Sequence, residues 1–354
     1  MTTAPARPSP TEITRKPSKP VIVWATLGCA GVLLIAVTVL RWITSVQFDP
    51  TDPGPDVFGG WRLVSAQVIQ YGLFGSAMGW VVAKLVLPAV RRRGLTFDGK
   101  LVIAGLLGGF VEPLGSYFHI ALLYNAHLPN LGSWASLIPG WSTPDAEHFV
   151  QPPLFILGAY VWWVAGFAIL AGGFLERLGH RFPRRSNLWL FTVLFAVAFV
   201  FALVFEAWVV QSEVYVYPAI PAGFALWAGS LHQYSLWTPV FGAVLLTALA
   251  AFRHLRTADG ESIADRGAAS LRLQAPARQA ASTLAVIGFC HLMLVGAWMV
   301  PFNLIIAANP DSTSTLPSYL RDGLCGPGTA HPCPGQEADH PRPGQAEGLN
   351  PSGP

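Results

Sequence analysis

The chain has 354 residues, of which 52% are hydrophobic and only 12% charged, with a formal net charge of +3. A soluble domain carries roughly 25% charged residues, so this composition excludes an ordinary water-soluble globule and predicts an all-α integral membrane protein. It offers no basic stripe for nucleic acid, and its four Cys do not make a disulfide scaffold.

Residues 1–19 are rich in Pro, Thr and Lys and read as a disordered tail. About seven apolar runs follow, each able to cross roughly 30 Å of hydrocarbon. They span residues 21–42, 64–90, 101–123, 154–174, 188–210, 239–252 and 281–306. The first is too long for a cleaved signal peptide. The sixth is short unless it starts near Leu231. Cys29 and Cys290 lie inside apolar runs and read as small core residues. Residues 20–307 therefore form one transmembrane bundle. Residues 308–354 are Pro- and Gly-rich, lack an apolar pattern and read as a second disordered tail. A disulfide between Cys325 and Cys333 is open there, beside the simpler reading of an inert tail.

The Lys and Arg residues alternate between loops. Arg7, Arg15, Lys16 and Lys19 precede the first run; Arg91, Arg92, Arg93 and Lys100 follow the second. Arg177, Arg181, Arg184 and Arg185 follow the fourth, and Arg253, Arg256, Arg266, Arg272 and Arg278 follow the sixth. Loops 125–151 and 211–237 have no Lys or Arg. The positive-inside rule then places the N-terminus in the cytoplasm and the C-terminus outside.

Ionisable residues inside apolar runs mark candidate sites, because a charge at the bilayer centre is costly. Arg41 and Lys84 lie near run ends and can snorkel. Glu112 sits midway along the third run, before Pro113, which removes a backbone bond and kinks a helix. His119, seven residues on, falls on the same face of a continuous helix, roughly 10 Å away. Glu206 lies inside the fifth run and Glu213 just beyond it, where it is either a pocket residue or a solvated loop residue. Gln67, Gln70 and Asn303 share the outer half of the bundle with Asp145, Glu147, His148 and the stretch Leu231–Tyr234. Together they imply a polar cavity beneath two aromatic loops without Lys or Arg. The stretch YNAHLPNLGSWASLIPGW, residues 124–141, is too broken by Pro and Gly for a helix and reads as the outer cap. Within it Tyr124 and Asn125 are nearest the third run, and Trp134 and Trp141 either shape the pocket or anchor at the membrane interface.

There is no phosphate loop, dinucleotide fingerprint, HExxH or GxSxG motif. The nine His lack the close pairing of a membrane di-iron enzyme, although His119, His127, His148 and His232 are free to converge. What remains is acid–base chemistry on a lipophilic molecule, or a carrier.

The blocks GGFVEP…YFHIALLYNAHLPNLGSWASLIPGW and FEAWVVQSEVYVYP, with the seven-run layout, resemble the AveC family of membrane spirocyclases over roughly residues 20–307. The resemblance implies spiroketal formation on macrolide polyketides of the avermectin and milbemycin kind, with dehydration in some members. Its partners would be a hydrophobic polyketide and the lipid bilayer. It transfers no catalytic residues. Spiroketal closure needs a general acid to expel water from a hemiketal, a group to take the incoming hydroxyl's proton, and no external cofactor. Burial in an apolar bundle favours a protonated carboxyl. Glu112 is therefore the expected acid and Glu206 the expected base, with His119 the alternative base. Glu213, Tyr124, Asn125, Trp134, Trp141, Gln67, Gln70 and Asn303 are the expected substrate-binding groups. A carrier or exporter of a hydrophobic metabolite, and an enzyme acting on lipids or sterols, are the competing readings. Substrate entry from the bilayer or through a deeper cavity stays open.

Overall fold

The computed structural model describes residues 19–308 and 316–321, except Arg92, His119, Pro144, Asp145, Ala219 and Pro221. His119, Asp145, Cys325 and Cys333, with most of both tails, therefore lie outside the described residues.

The chain is a helical bundle. Its α-helices are α1 (Lys19–Ile43), α2 (Gly60–Val81), α3 (Leu87–Val90), α4 (Phe97–Gly108), α5 (Pro153–Val161), α6 (Phe167–Arg181), α7 (Asn187–Gln211), α8 (Trp237–His254), α9 (Ala275–Leu294), α10 (Val300–Ala308) and α11 (Ser318–Arg321). Three π-helical turns join pairs of them into longer rods: Val82–Val86 between α2 and α3, Trp162–Gly166 between α5 and α6, and Val295–Met299 between α9 and α10. Among the described residues, five helices are long and apolar enough to cross a membrane: Pro20–Ile43, Gly60–Val90, Pro153–Arg181, Asn187–Gln211 and Ala275–Ile305. Large apolar side chains stay exposed along them, including Leu33, Leu40, Val64, Val68, Val200 and Val204.

Local sequence sets the helix starts. Ser186 caps α7 by accepting from Trp189 N–H, and Thr96 caps α4 by accepting from Gly99 N–H. Pro153 and Pro276 occupy first-turn positions of α5 and α9, where a missing N–H leaves no intrahelical bond unmade. The helices pack through small residues. α1 lies along α9, and a Cβ on Gly288 would sit 2.6 Å from the backbone N of Gly28, so neither position has room for a side chain. α4 is buried between α5 and α9, with Gly105 against the Val161 backbone and Gly108 against Leu294.

The third apolar run departs from a continuous helix. It is α-helical only to Gly108 and then tightens into a 3₁₀ segment, Gly109–Ser116, with Pro113 inside it. The Gly108–Gly109 pair is permissive and Pro113 cannot donate to an i−4 carbonyl, so the α-pattern lapses. The shared α-helical face expected from Glu112 onward is therefore absent over Glu112–Ser116. The sixth run forms α8, extended at its start to Trp237.

Two ends are defined by side-chain bonds. At the basic end, Asp98 accepts from Arg253 Nε at 2.8 Å and from Lys84 Nζ at 3.1 Å. Lys100 Nζ there meets Asp265 at 3.2 Å and Ser282 Oγ at 2.5 Å. At the opposite, loop-rich end, residues 44–59, 117–152, 212–236 and 316–321 interlock. Asn130 Oδ1 accepts from Thr51 N–H, Asn125 N–H donates to the Val214 carbonyl, and Ala126 N–H donates to the Tyr319 carbonyl. Two short antiparallel ladders lie here: β1 (Leu123–Tyr124) with β2 (Tyr215–Val216), and β3 (Ala225–Leu226) with β4 (Tyr234–Ser235).

Residues 316–321 correct the expectation of a wholly unstructured C-terminal tail. Leu316, Tyr319 and Leu320 are buried against the loop-rich end. Ser318 exchanges hydrogen bonds with Asp56, and its hydroxyl donates to the Pro53 carbonyl at 2.9 Å. A short apolar triplet suffices because the cap already presents a surface for it.

Candidate active site

Glu112 and Glu206 arrive on different elements. The 3₁₀ turn after α4 carries Glu112; the last two turns of α7 carry Glu206. Both carboxyls are buried, and both line one cavity of about 70 Å³. Its other walls are mainly aromatic, from Tyr124, Phe155, Tyr160, Trp163, Phe205, Tyr215, Trp298 and Phe302. Two π-turns contribute Trp163 and Trp298, whose rings meet edge to face at 4.6 Å. The extra residue of a π-turn re-aims the side chains it carries, and here both turns supply a Trp to the cavity wall.

The two carboxyls differ in their donors. Among the described residues Glu112 accepts one side-chain hydrogen bond, from the Tyr124 hydroxyl at 2.8 Å. Glu206 accepts from three phenols: Tyr215 at 2.9 Å, Tyr234 at 3.3 Å, and Tyr217 in a very short contact. Burial, and next the charge of Glu206, push the Tyr215, Tyr217 and Tyr234 phenols up, so all three stay protonated donors. Tyr215 and Tyr217 stand two apart on an extended chain and so project to the same side.

Glu213 makes that return of the chain work. α7 ends in a Schellman motif, in which Val214 N–H bonds the Val209 carbonyl and Glu213 N–H bonds the Val210 carbonyl. The position that reverses the chain is Glu213, at φ +53°, where Gly is usual. Its carboxyl is 1% exposed and accepts from the Tyr319 hydroxyl at 2.6 Å and pairs with His232 Nε2 at 2.8 Å. Arg62 Nε lies 3.2 Å away, an ion pair without hydrogen-bond alignment. Burial alone raises this carboxyl, but His232, Tyr319 and Arg62 outweigh it and hold Glu213 below the ordinary carboxylate range. Glu213 is thus neither a pocket wall nor a solvated loop residue. It is the latch joining α2, loop 212–236 and residues 316–321.

Of the other expected groups, Tyr124 lines the cavity and the rest do not. Asn125 is buried, donates to the Glu213 carbonyl and accepts from His127 N–H. Trp134 Nε1 donates to the Phe110 carbonyl and its ring packs on Trp42 and Phe110. Trp141 Nε1 donates to the Thr143 carbonyl, with its ring on Tyr117 and Phe149. These three hold the cap together, since irregular buried backbone needs local partners. Gln67 is exposed on α2, while Gln70, one turn on, is buried with neither amide atom hydrogen bonded among the described residues. Asn303 straps the break after α4: its amide donates to the Leu114 and Met299 carbonyls at 2.8 and 2.9 Å and accepts from Phe118 N–H at 3.1 Å. Tyr234 belongs to the stretch Leu231–Tyr234 that the sequence placed at the cavity, and Tyr215 follows closely on Glu213; the groups that sequence reasoning missed are Tyr160, Tyr217, Trp163 and Trp298.

Fold and site define a helical-bundle protein that holds two carboxyls, each braced by tyrosine, around one aromatic cavity. The sequence profile of the family described as Spirocyclase AveC-like matches residues 90–321, nearly two thirds of the chain. The chain belongs to that family, and membership points to a cyclase with a role in spiroketal or polyketide biosynthesis. No curated protein and no solved structure matches it.

Proposed function

We propose that the protein is a membrane spirocyclase that closes a dihydroxy-ketone polyketide into a spiroketal, with Glu112 as general acid and Glu206 as general base. The observation that carries this reading is the pair of unequally braced carboxyls facing one buried cavity, in a chain of the spirocyclase family. Three phenol donors suit Glu206 to the charged form, and one donor leaves Glu112 free to carry a proton.

One substrate hydroxyl adds to the ketone and gives a hemiketal. Glu112 donates its proton to the hemiketal hydroxyl, the C–O bond breaks and water leaves. The resulting oxocarbenium ion lies near the Glu206 carboxylate and the aromatic walls, both of which favour a cation. The second hydroxyl then bonds to that carbon and its proton passes to Glu206. The released water relays that proton back to Glu112, so the pair returns to its starting state with one water formed per spiroketal. Dehydration of the product would use the same two groups, one removing a proton and the other protonating the departing hydroxyl.

In this reading the bundle crosses the bacterial cytoplasmic membrane about seven times, α4 with its 3₁₀ extension and α8 completing the five long spans. The basic end faces the cytoplasm and the loop-rich end faces outward.

Membranes containing the protein should convert a dihydroxy ketone to one spiroketal stereoisomer faster than it cyclises alone. Glu112→Gln and Glu206→Gln should each cost on the order of 10²- to 10⁴-fold in rate. Wild-type rate and stereochemistry in both variants would refute the assigned roles, and no acceleration by wild type would refute the function.

A further inference from the structure

Beside the carboxyl cavity runs a second, larger space of about 470 Å³, walled by α2, the α5–α6 rod, α7 and Leu246 of α8. Ala159, Trp163, Phe201, Phe205 and Leu246 line both spaces. The two are therefore separated only by these side chains. The larger space opens on the outside of the bundle, because Leu170, Val197 and Phe201 in its wall are exposed. Its lining is apolar apart from the Ser76 hydroxyl and the indole N–H groups of Trp162 and Trp163. Ser76 Oγ accepts from Trp162 Nε1 at 2.7 Å and donates to the Gly72 carbonyl at 2.5 Å, so those polar atoms are already paired.

We propose that this lateral groove seats the apolar arm of the substrate and is the route by which it enters from the bilayer. The inference rests on the spirocyclase reading and deepens it. The carboxyl cavity has room for the reacting carbonyl and its hydroxyls but not for a polyketide chain. That chain must leave the cavity through a wall, and the groove shares one. A groove lined almost wholly by hydrocarbon favours a saturated arm and penalises a polar one. Phe201 and Phe205 stack at 5.7 Å with rings 5° from parallel, one helical turn apart on α7, and form the movable part of the partition. Their aromatic torsions can swing without disturbing the helix.

Two synthetic ketones test this, each with two hydroxyls placed to close a spiroketal. One carries a long alkyl arm and the other ends in methyl. The kcat/KM ratio of long over short should fall about tenfold or more in Val197→Trp and Leu170→Trp, which fill the groove. Val64→Trp, on an exposed face of α2 away from the groove, should leave the ratio at its wild-type value. A ratio unmoved by the groove variants overturns the inference while leaving the spirocyclase reading in place. Wild-type protein that accelerates neither ketone refutes that reading instead. Because a groove variant can also fail to fold, the long ketone with a diazirine at the end of its arm gives an independent readout on wild type. Labelling of α6 and α7 peptides supports the groove; labelling confined to α1 overturns it. Labelling of the same peptides by a diazirine phospholipid that excess long-arm ketone does not displace makes the groove a lipid seat and also overturns it.

Discussion

Tyr124 and Tyr215 are direct partners across the two-residue β1–β2 ladder, and each hydroxyl holds a different glutamate of the site. Their rings meet edge to face at 5.6 Å. Opposed residues of an antiparallel pair project to one face, so a ladder of two residues fixes where both carboxyls stand. The two tyrosines are nevertheless unequal. Among the described residues Glu112 has only Tyr124 as a side-chain donor, whereas Glu206 keeps Tyr217 and Tyr234 when Tyr215 is lost. Tyr124→Phe should therefore slow spiroketal formation about five- to tenfold, the worth of roughly one hydrogen bond near 1 kcal/mol. Tyr215→Phe should cost less than half as much on the same free-energy scale. Single-turnover rates on a dihydroxy ketone check the order, and equal losses would show that Glu206 depends on Tyr215 alone.

Glu213 combines a strained backbone with a buried ionic latch, and two substitutions separate them. A non-glycine residue in the left-handed region costs about 1–2 kcal/mol. Glu213→Ala loses the latch and keeps that strain; Glu213→Gly loses the latch and relieves it. Both should melt below wild type in detergent, with Glu213→Gly the more stable of the pair by about 1 kcal/mol. Identical melting of the two would mean that the φ of +53° carries no strain.

The same latch predicts an acid dependence. The folded-state pKa of Glu213 is held below its ordinary value, so its contribution to stability is fully present above the ordinary carboxylate range near 4.3. That contribution is lost as pH falls through the lowered folded value. Wild type should therefore lose stability below about pH 4, and Glu213→Gln should flatten part of that slope. Asp265, also held low by Ser262, Ser282 and Lys100 once burial is offset, supplies another part of it. Urea midpoints measured between acid and neutral pH test this, and an unchanged slope in Glu213→Gln would remove the latch from the account.

Much of this was legible in the sequence where apolarity and length decide. The first and fifth runs, read as 21–42 and 188–210, match Lys19–Ile43 and Asn187–Gln211 within about two residues. Both candidate carboxyls were found because an acid in an apolar run is costly wherever it lies. Tyr124 was named as a binding group, but the bracing of each carboxyl by a tyrosine was not, because it depends on pairing Leu123–Tyr124 with Tyr215–Val216, two segments distant in the chain and each too short to show a strand period. Trp134 and Trp141 misled for a related reason: composition places aromatics at the mouth of the bundle, but only the fold decides whether a ring meets the cavity or another ring. The end of α4 was misread because a Pro in an apolar run reads as a kink. The preceding glycines, which make a change of helix type cheap, carry no apolar signal.

Close backbone contact between α1 and α9 gives a prediction that needs no substrate. Gly28 and Gly288 face each other with no space for a Cβ. Gly28→Ala and Gly288→Ala should each force the helices apart and destabilise by about 1–3 kcal/mol, as overpacking does. Gly72→Ala, at an open position on α2, should be neutral or stabilising because Ala is the better helix former. Thermal melts in detergent distinguish these, and a tolerated Ala at Gly288 would mean that α1 packs elsewhere.

Asn303 links the break in the third run to the chemistry. Its amide satisfies the Leu114 and Met299 carbonyls, and its oxygen accepts from Phe118 N–H, on the C-terminal side of the turn that carries Glu112. Asn303→Asp keeps the acceptor for Phe118 but removes both donors, placing a carboxyl against two carbonyls. Asn303→Leu removes all three bonds and leaves the Leu114 carbonyl and Phe118 N–H to find other partners. An unsatisfied buried group costs about 1–3 kcal/mol, so both variants should melt below wild type. The rate should fall further than stability alone accounts for, because a 1 Å displacement of an acid group costs on the order of 10²-fold. Measured well below the melting temperature, kcat should drop while the Tyr124→Phe substitution adds little to the Asn303→Leu loss, since both act by placing Glu112. Additive losses in the double variant would show that Asn303 supports the bundle without positioning the acid.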